Sequence, residues 1–232
     1  MPSQPSGPQG LRIGIIGAGR VGTAIARAAV AAGHSVSVAG SGTPDELALV
    51  ARFTMPGTRI GSASDVTAHA DLVVLAVPLK KFATLDPAVF AGRTVIDVMN
   101  YWEPLDGHVP GFSDAEAPTS ELVQRALPLA EVVKTLNHIG YHELEADARP
   151  PGAPDRRALA ISSDHEEAAR LVADFIDSLG YDPVFTGPLS GSAVLQPGTP
   201  IFDDRLDADR TRAALGTTAS TAPTARTALQ EA

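Results

Sequence analysis

The 232-residue sequence contains no cysteine and few aromatic residues, which make up 5% of the chain. Without cysteine there is no disulfide, no thiolate nucleophile and no zinc-thiolate centre. Basic residues are also scarce, because 18 lysines and arginines stand against 27 aspartates and glutamates, for a net charge of −9. This balance opposes non-specific attraction to nucleic acid or to an anionic membrane surface, so we expect neither as a partner.

Long hydrophobic runs are absent as well. No segment approaches the roughly 20 apolar residues that a membrane-spanning helix needs. Residues 1–10 lack the basic and apolar parts of a signal peptide, so we expect a cytoplasmic protein. Hydrophobic residues are nevertheless plentiful at 44% of the chain. That content is enough for one globular domain with a well-packed core.

Short runs rich in valine and isoleucine alternate with alanine-rich amphipathic stretches, a pattern typical of parallel strands joined by crossover helices. The predicted fold class is α/β, a Rossmann-type doubly wound parallel sheet with a small C-terminal annex. The predicted strands are Leu11–Ile16, Ser35–Ala39, Leu72–Val77, Thr94–Val98, Val132–Leu136, Leu159–Ser162 and Pro183–Thr186. The predicted helices are Val21–Ala32, Pro44–Phe53, Ser64–His69, Ser120–Ala126 and Asp164–Leu179.

The chain divides into four predicted regions. A flexible tail covers residues 1–10, and an NAD(P)-binding Rossmann domain covers residues 11–140. A small region for substrate binding or dimerisation covers residues 141–215. The end of the chain, residues 216–232, is small and polar in composition and is predicted to be a second flexible tail.

The motif IGIIGAGRVG, residues 13–22, carries Gly17, Gly19 and Gly22 at the positions of the G-x-G-x-x-G pattern. The pattern alone is weak, but here an apolar strand runs into it and an alanine-rich helix leaves it. Gly17 permits the tight turn, Gly19 lets a pyrophosphate approach the backbone, and Gly22 allows close packing of helix on strand. We assign nucleotide binding to the whole loop, against the alternative of a glycine-rich turn without a ligand: Gly17, Ala18, Gly19, Arg20, Val21 and Gly22.

The second predicted strand ends in AGSG, residues 39–42, without the carboxylate that binds the ribose 2′-hydroxyl in NAD-binding chains. A carboxylate would repel the 2′-phosphate of NADP, whereas the hydroxyl of Ser41 and the amide of Gly42 can donate to it. The missing acid therefore favours NADP(H). Arg20 either grips a phosphate or lies solvated over the helix start. NAD stays possible because Asp45 follows closely.

Ligands of parallel sheets gather at the carboxyl ends of the strands, so the loops after later strands are candidates for the rest of the site. Val77 and Pro78 follow one such strand, and an ordinary proline turn is the alternative. Tyr101 and Trp102 follow the next strand. Their rings either form a wall for a flat ligand or anchor a long loop on the core.

One histidine pair raises the question of a metal. His138 and His142 are four residues apart and precede Glu143, a spacing that suits metal binding if the segment is helical. Gly140 lies between them and argues against a helix. No other group of ligands points to the same place, so we predict no metal site.

Several motifs together resemble the NADPH-dependent reductases of coenzyme F420, a deazaflavin. They are the glycine loop, the strand end AGS, and the segments VVLAVP, VVKTLN and SLGYDPVFTGPL. The resemblance covers residues 11–195, and its more specific parts are LNHIG, residues 136–140, and GPL, residues 187–189. It implies a Rossmann domain with a small annex, a homodimer, and reversible hydride transfer between nicotinamide C4 and deazaflavin C5.

Two features depart from this family. Its members commonly carry Ser-Arg after the second strand, with the arginine on the 2′-phosphate, but here Ser41 is followed by Gly42. The segment MNYWEPLDG, residues 99–107, also differs from the family pattern and could mark an altered acceptor site. The first departure weakens the expectation of NADP, and the second weakens the expectation of a particular acceptor.

The resemblance also places Val77 and Pro78 beside the nicotinamide, and Asn137 and His138 on the acceptor side. Because coenzyme F420 carries phosphate and a glutamate tail, a basic lip is expected, and ordinary solvated charges are the alternative. Candidates for the lip are Lys80, Lys81, Lys134, Arg149, Arg156 and Arg157. The predicted cofactor-binding residues outside the loop are Ser41, Gly42, Val77 and Pro78. The predicted substrate-binding residues are Lys80, Met99, Asn100, Tyr101, Trp102, Asn137 and His138.

The chemistry can be argued from the residues as well. Carbonyl reduction needs a positioned proton donor, and none is evident in the sequence. Transfer between two ring cofactors needs stacking and exclusion of water instead. We therefore predict an NADPH-dependent reductase with coenzyme F420 as co-substrate and no catalytic acid or base. The alternatives are a reductase of an imine, ketone or flavin, and a nicotinamide-nucleotide sensor without turnover.

Overall fold

The structure, a computed structural model, describes residues 10–221. Residues 1–9 of the predicted N-terminal tail and residues 222–232 of the predicted C-terminal tail lie outside the described residues. Within residues 10–221, eight strands form one sheet with helices on both faces. The prediction of a Rossmann-type α/β fold is confirmed. Among the same residues, no helix has the length and apolar content to cross a membrane.

The elements follow one another with short connections. The strands are β1 (Arg12–Ile16), β2 (Ser35–Ala39), β3 (Arg59–Ile60), β4 (Leu72–Leu75), β5 (Thr94–Asp97), β6 (Glu131–Lys134), β7 (Ala158–Ser163) and β8 (Asp182–Gly187). The α-helices are α1 (Arg20–Ala31), α2 (Pro44–Thr54), α3 (Ala63–Ala68), α4 (Leu79–Phe82), α5 (Glu103–Asp106), α6 (Thr119–Ala126), α7 (Glu166–Ser178), α8 (Pro200–Asp203) and α9 (Ala208–Thr221). Two 3-10 helices cover Pro87–Phe90 and Leu189–Leu195.

The strand order is β3-β2-β1-β4-β5-β6-β7-β8, and β6 pairs with β7 in the antiparallel sense while the other neighbours are parallel. Parallel pairing requires a crossover that returns the chain to the opposite edge of the sheet. The connection of residues 135–157 contains turns and no helix, so the chain does not cross back. It enters β7 at the edge where β6 ends, which makes this pair an exception to the predicted parallel sheet.

Two apolar layers cover the sheet. One packs α1 and α7 on one face, and the other packs α3, α6 and the 3-10 helix Pro87–Phe90 on the opposite face. A smaller cluster joins Ala160 of β7 to Leu195 and Ile201. Leu195 and Ile201 are both buried within the single chain, so they cap the end of the sheet.

Several element boundaries differ from the prediction. Strand β3 was not predicted, because its two residues are too few for an alternating pattern. Helix α5 was not predicted, and its Pro104 occupies a first-turn position that needs no N–H donor. Helix α7 begins at Glu166, two residues later than predicted, with His165 as its N-cap, and Asp164 accepts a hydrogen bond from the Leu189 amide. Helix α9 continues to Thr221, past residue 216, where the predicted tail begins.

Candidate active site

The glycine loop joins β1 to α1 at the carboxyl edge of the sheet. Gly17 has φ of 120°, and a Cβ there would lie 2.1 Å from the carbonyl oxygen of Ala76. A Cβ on Gly22 would lie 1.9 Å from the carbonyl oxygen of Gly17. Both positions therefore exclude any side chain, and the steric roles predicted for these two glycines are confirmed.

Gly19 differs from its two neighbours in the motif. A Cβ at this position would meet no atom within 4 Å, so its backbone faces open space. Gly19 is also the N-cap of α1, and neither a capping side chain nor an acidic residue occupies the first turn. Among the described residues no acceptor is recorded for the first amides of α1, which is what an anion-binding helix start requires. Nucleotide binding by the loop stays a prediction.

The turn after β2 forms the corner where the adenosine ribose is expected. Ser41 and Gly42 are exposed, and Gly42 has φ of 93°, a conformation that disfavours any side chain. At this position the family resemblance leads one to expect an arginine, and the loop instead has a conformation that suits glycine. Thr43 and Glu46 form a capping box at the start of α2, and hydrogen bonds from Thr43 lower the pKa of Glu46.

Arg20 points toward the connection that follows β6. Its guanidinium carbon lies 5.8 Å from the centre of the Tyr141 ring, a cation–π arrangement. In the same region Arg27 of α1 pairs with Glu145 at 2.6 Å, so α1 is fastened to this connection at two points. Arg20 is therefore directed away from the corner formed by Ser41 and toward the middle of the sheet edge.

The segment after β4 contains Val77, which is half-buried, and Pro78, which is exposed. Pro78 precedes the short helix α4, and Lys80 and Lys81 of that helix are exposed. Val77 also packs against the apolar layer on the α3 side of the sheet. These residues stay candidates for contact with the nicotinamide and with an anionic group.

A buried ion pair holds the segment after β5. The Nζ atom of Lys134 lies 3.4 Å from Oδ2 of Asp97 and donates to the carbonyl oxygen of Met99. The amide of Met99 donates to Oδ1 of Asp97 at 2.9 Å, and Ser120 donates to Oδ2 at 2.7 Å. Both backbone polar groups of Met99 are thus fixed by one acid and one base. Burial lowers the pKa of Lys134, and the negative charge of Asp97 works against that shift.

Two asparagines connect the segment after β5 to the segment after β6. The side chain of Asn100 donates to the carbonyl oxygen of Asn137 at 2.8 Å, and Asn137 donates to Oδ1 of Asn100 at 2.9 Å. Asn137 also donates to the carbonyl oxygen of Leu195 at 2.5 Å. This network ties two strand ends to the C-terminal region and holds Asn100 at the rim.

An open cavity of about 810 Å³ lies against this network. Trp102, 53% exposed, is part of its lining, and the hydroxyl of Tyr101 is engaged by Ser113 at 2.8 Å. Carboxylates contribute as well, and Asp106 accepts a hydrogen bond from the amide of Trp102. The principal lining residues are Asn100, Tyr101, Trp102, Glu103, Phe202 and Asp203. Tyr101 and Trp102 both line the cavity, so their role as a wall for a flat ligand stays a prediction, and acidic side chains that were not predicted lie beside them.

Three predicted substrate-binding residues lie behind the cavity instead of lining it. Met99, Asn137 and His138 are buried in this structure. His138 Nε2 accepts from the amide of Ala160 at 3.0 Å, which leaves the proton on Nδ1, facing Oδ1 of Asn137. Burial, followed by the positive charges of Arg157 and Lys134, lowers the pKa of His138 to about 3. The side chains support the rim and do not reach the cavity, because backbone and side-chain partners already satisfy them.

The expected basic lip is reduced to two lysines. Lys134 is buried in the ion pair described above, which is why it cannot serve a surface anion. Arg156 pairs with Asp177 and Asp182, each at 2.7 Å, and Arg157 pairs with Glu143 at 2.9 Å. Arg149 pairs with Asp155 at 3.2 Å. Lys80 and Lys81 are the candidates left exposed by the described structure.

The possibility of a metal between His138 and His142 is not supported by the geometry. Residues 141–146 form turns, so the two side chains do not share a helix face. His138 is buried with both ring nitrogens engaged, whereas His142 is exposed. Within residues 10–221, no group of three or more suitable side chains could hold a metal ion.

Sequence reasoning missed Asp97, Gln196 and Phe202 as parts of the site. Asp97 ends an apolar strand, and an acid at a strand end in a buried sheet was the available signal. Leu136, φ 60°, is a buried residue in the left-handed region, directly before Asn137. Such a conformation is costly for leucine and is tolerated where the surroundings impose it, often at functional sites.

The sheet, the open helix start and the cavity at the same edge define a Rossmann-type protein of the NAD(P)-dependent oxidoreductase class. Residues 12–101 match the model of the family described as NADP oxidoreductase, coenzyme F420-dependent. Over these residues the chain is similar to that family, as the sequence resemblance predicted.

Two solved structures resemble the chain over most of its length. The hypothetical protein SMa0349 from Sinorhizobium meliloti is 31% identical with a TM-score of 0.73, covering 84% of this chain and 95% of that one. A proposed F420-dependent NADP reductase from Arthrobacter sp. FB24 is 28% identical with a TM-score of 0.63, covering 79% of this chain and 87% of that one.

More distant matches are informative about the fold alone. An imine reductase from Pseudomonas sp. is 13% identical with a TM-score of 0.55, and the match covers 90% of this chain and 62% of that one. The protein YjhV of Escherichia coli K12 is 36% identical over 53 residues, which is 23% of this chain and 39% of YjhV. The chain thus matches only part of the length of these two proteins.

Proposed function

We propose that this protein binds NADP(H) at the glycine loop and transfers hydride between the nicotinamide and the deazaflavin ring of coenzyme F420. The observation that carries the proposal is the pairing of an unobstructed helix start at Gly19 with an aromatic-walled cavity at the same edge of the sheet. The family match over residues 12–101 supports the choice of F420 as the second ring.

The cavity suits a reaction between two rings. Hydride transfer requires the donor and acceptor carbons to approach within about 3 to 3.5 Å, with water excluded. It requires no proton donor when the acceptor ring delocalises the charge itself. The hydroxyl of Tyr101 is occupied by Ser113 and Gly107, so it is not a free proton donor to the cavity. Trp102 and Phe202 offer apolar surface on which a flat ring can stack.

A spectroscopic assay tests the proposal. Purified protein is mixed with NADPH and F420, and the deazaflavin absorbance is followed in both directions. Turnover with NADPH supports the proposal. Binding of NADPH without oxidation by F420 or any other acceptor would indicate the non-catalytic nucleotide sensor instead.

Trp102 provides a second, independent readout because it is the only tryptophan in the chain. Its indole belongs to the lining of the cavity, so an acceptor that stacks there should quench its fluorescence in a saturable manner. The variant Trp102→Phe keeps an aromatic ring and should retain turnover while losing the signal. Saturable quenching by F420 at the concentration that half-saturates turnover would link the cavity to the reaction.

A second candidate acceptor is a small imine, and it is favoured by the acidic lining. Glu103, Asp106 and Asp203 give the cavity a negative potential, which attracts a protonated imine and repels phosphate or a carboxylate tail. If F420 is the acceptor, its anionic tail must leave the cavity toward Lys80 and Lys81.

Two variants separate these candidates. Replacing both Lys80 and Lys81 with alanine should raise KM for F420 several-fold and leave an imine substrate unaffected. Glu103→Gln should improve F420 binding and weaken a cationic imine. A panel of F420 and a cyclic imine at fixed NADPH, measured on the wild type and both variants, assigns the acceptor.

A further inference from the structure

Helix α2 presents an apolar stripe that the chain itself does not cover. Phe53 is 84% exposed, Leu49 is 62% exposed and Val50 is 53% exposed. Isolated apolar residues on a surface are ordinary, but three large ones on two turns of one helix form a contiguous patch. The helix lies near the end of the sheet, next to the two-residue edge strand β3, where no further strand of the described chain follows.

Charged residues on the same stripe indicate what covers it. Asp45 and Arg52 are seven residues apart, which places them on one side of the helix two turns from each other. Both are exposed, and within residues 10–221 neither makes a side-chain hydrogen bond or an ion pair. Leu49 lies between them along the axis. The stripe therefore has an acidic end, an apolar middle and a basic end.

We propose that α2 packs antiparallel against α2 of a second copy of this chain, about a two-fold axis that passes beside Leu49. This arrangement brings Asp45 of each copy opposite Arg52 of the other and lays each Phe53 ring along the partner helix near Glu46 and Leu49. A parallel arrangement would put like charges together, so the charge pattern selects the antiparallel one. The two helix dipoles also oppose each other favourably in this geometry.

The patch is small, so the association is expected to be reversible. Stable interfaces bury about 800 Å² per partner, and one helix face supplies the low end of that range. The Leu49 side chains and the Phe53 rings are the expected hot spots, because hot spots cluster in the well-packed centre of an interface.

Sedimentation equilibrium over a range of concentrations tests the proposal. The wild type should shift from monomer to dimer as concentration rises, and Phe53→Ser should remain monomeric at every concentration. Leu129→Ser is the matched control, because Leu129 is 71% exposed in the connection before β6. A monomeric wild type, or a Phe53→Ser variant that dimerises like the wild type, would overturn the proposal.

A charge swap tests the antiparallel register. Arg52→Glu places an acid opposite Asp45 of the partner and should abolish the dimer. The double variant Asp45→Lys with Arg52→Glu restores opposite charges across the axis and should recover the dimer. Thermal unfolding of each variant shows that the helix is intact. Dimerisation of the Arg52→Glu variant at the wild-type concentration would refute the register.

The absence of cysteine allows a direct proximity measurement. In Leu49→Cys the two introduced thiols lie near the two-fold axis, so a short bis-maleimide should link two copies in high yield. Leu129→Cys should give only the background yield. Equal yields from the two variants would show that α2 is not the contact surface.

Discussion

The carboxylate of Asp97 and the ammonium group of Lys134 lie 3.4 Å apart across β5 and β6, and each side chain is 1% exposed. The two residues are direct partners in the register of these strands. Between them they hold the N–H and the C=O of Met99, the residue before Asn100 at the cavity rim. The site thus rests on an ion pair that does not reach the solvent.

Breaking this pair on one side should be costly. Lys134→Met leaves Asp97 buried without its counter-charge, and loss of one partner of a buried pair typically costs about 3–5 kcal/mol. The double variant Asp97→Asn with Lys134→Met removes both charges and should recover part of that loss. Urea unfolding measures both. A single variant within about 1 kcal/mol of the wild type would contradict the prediction.

The same double variant separates positioning from stability. Because the Met99 carbonyl loses its donor, the rim at Asn100 should loosen, and KM for the acceptor should rise while the dissociation constant of NADPH stays constant. Nucleotide titration and steady-state kinetics on the same preparation give both values. An equal change in both would mean that the pair acts only on the overall fold.

Gly19 and Gly22 offer a matched test of nucleotide binding. Gly19→Ala meets no atom within 4 Å, so the fold should keep its stability, but the added methyl occupies the path of the pyrophosphate. We expect at least a tenfold loss of NADPH affinity, about 1.4 kcal/mol. Gly22→Ala forces a contact of 1.9 Å with Gly17 and should unfold the protein at a lower temperature. Calorimetry reports both effects, and unchanged affinity in Gly19→Ala would remove the loop from the site.

Ser41 provides a test of cofactor preference. Ser41→Asp introduces a charge next to the expected 2′-phosphate and should reduce the preference for NADPH over NADH by about tenfold, since about 1.4 kcal/mol of repulsion corresponds to that factor. Ser41→Asn changes the shape without the charge and serves as the control. The ratio of kcat/KM for the two nucleotides is the measurement. A ratio unaffected by the new carboxylate would locate the ribose elsewhere.

His138 makes stability depend on pH. Burial lowers its pKa from 6.5 to about 3. Between pH 6.5 and about 3, the unfolded chain therefore binds a proton at this residue and the folded chain does not. The contribution of neutral His138 is therefore complete above pH 6.5 and is lost as pH falls, by about 1.4 kcal/mol per pH unit. His34, whose pKa is also lowered by burial, acts in the same direction.

The variant His138→Gln isolates this contribution. Glutamine retains an acceptor for the Ala160 amide but does not titrate, and His34 is unchanged. The stability of the variant should therefore fall less steeply than that of the wild type between pH 6.5 and 4.5. Chemical unfolding at several pH values compares the two slopes, and parallel curves would contradict the lowered pKa.

The fold was largely predictable because the sequence patterns of its strands, helices and glycine loop all indicate the same α/β fold. The strands and helices show their hydrophobic periods directly in the sequence. The glycine loop is recognised by the spacing of its glycines. The reversal at β7 was not predictable, since it depends on whether residues 135–157 cross the sheet, and composition does not specify that. Lys134 was assigned to a surface lip because lysine is rarely buried. Its partner Asp97 is 37 residues away, and only the strand register brings them together.

The cavity lies at the edge of the sheet where the site was predicted, and its role in binding stays a prediction. Tyr101 and Trp102 line the cavity as expected, whereas His138 and Asn137 support it from behind. A polar residue after a strand can point outward or inward, and the difference depends on partners elsewhere in the chain. Asn137 turns inward because the carbonyl oxygen of Leu195 and the side chain of Asn100 are there to receive it.

The antiparallel strand β7 separates the part of the chain that carries the predicted nucleotide site from a later part that helps to line the cavity. Everything expected to touch the dinucleotide comes from the chain before that reversal, while Gln196, Phe202 and Asp203 reach the cavity from the stretch after it. Insertions or exchanges in that later stretch can therefore reshape one pocket while leaving the other intact. With this arrangement, related proteins can keep the same electron donor and change the electron acceptor.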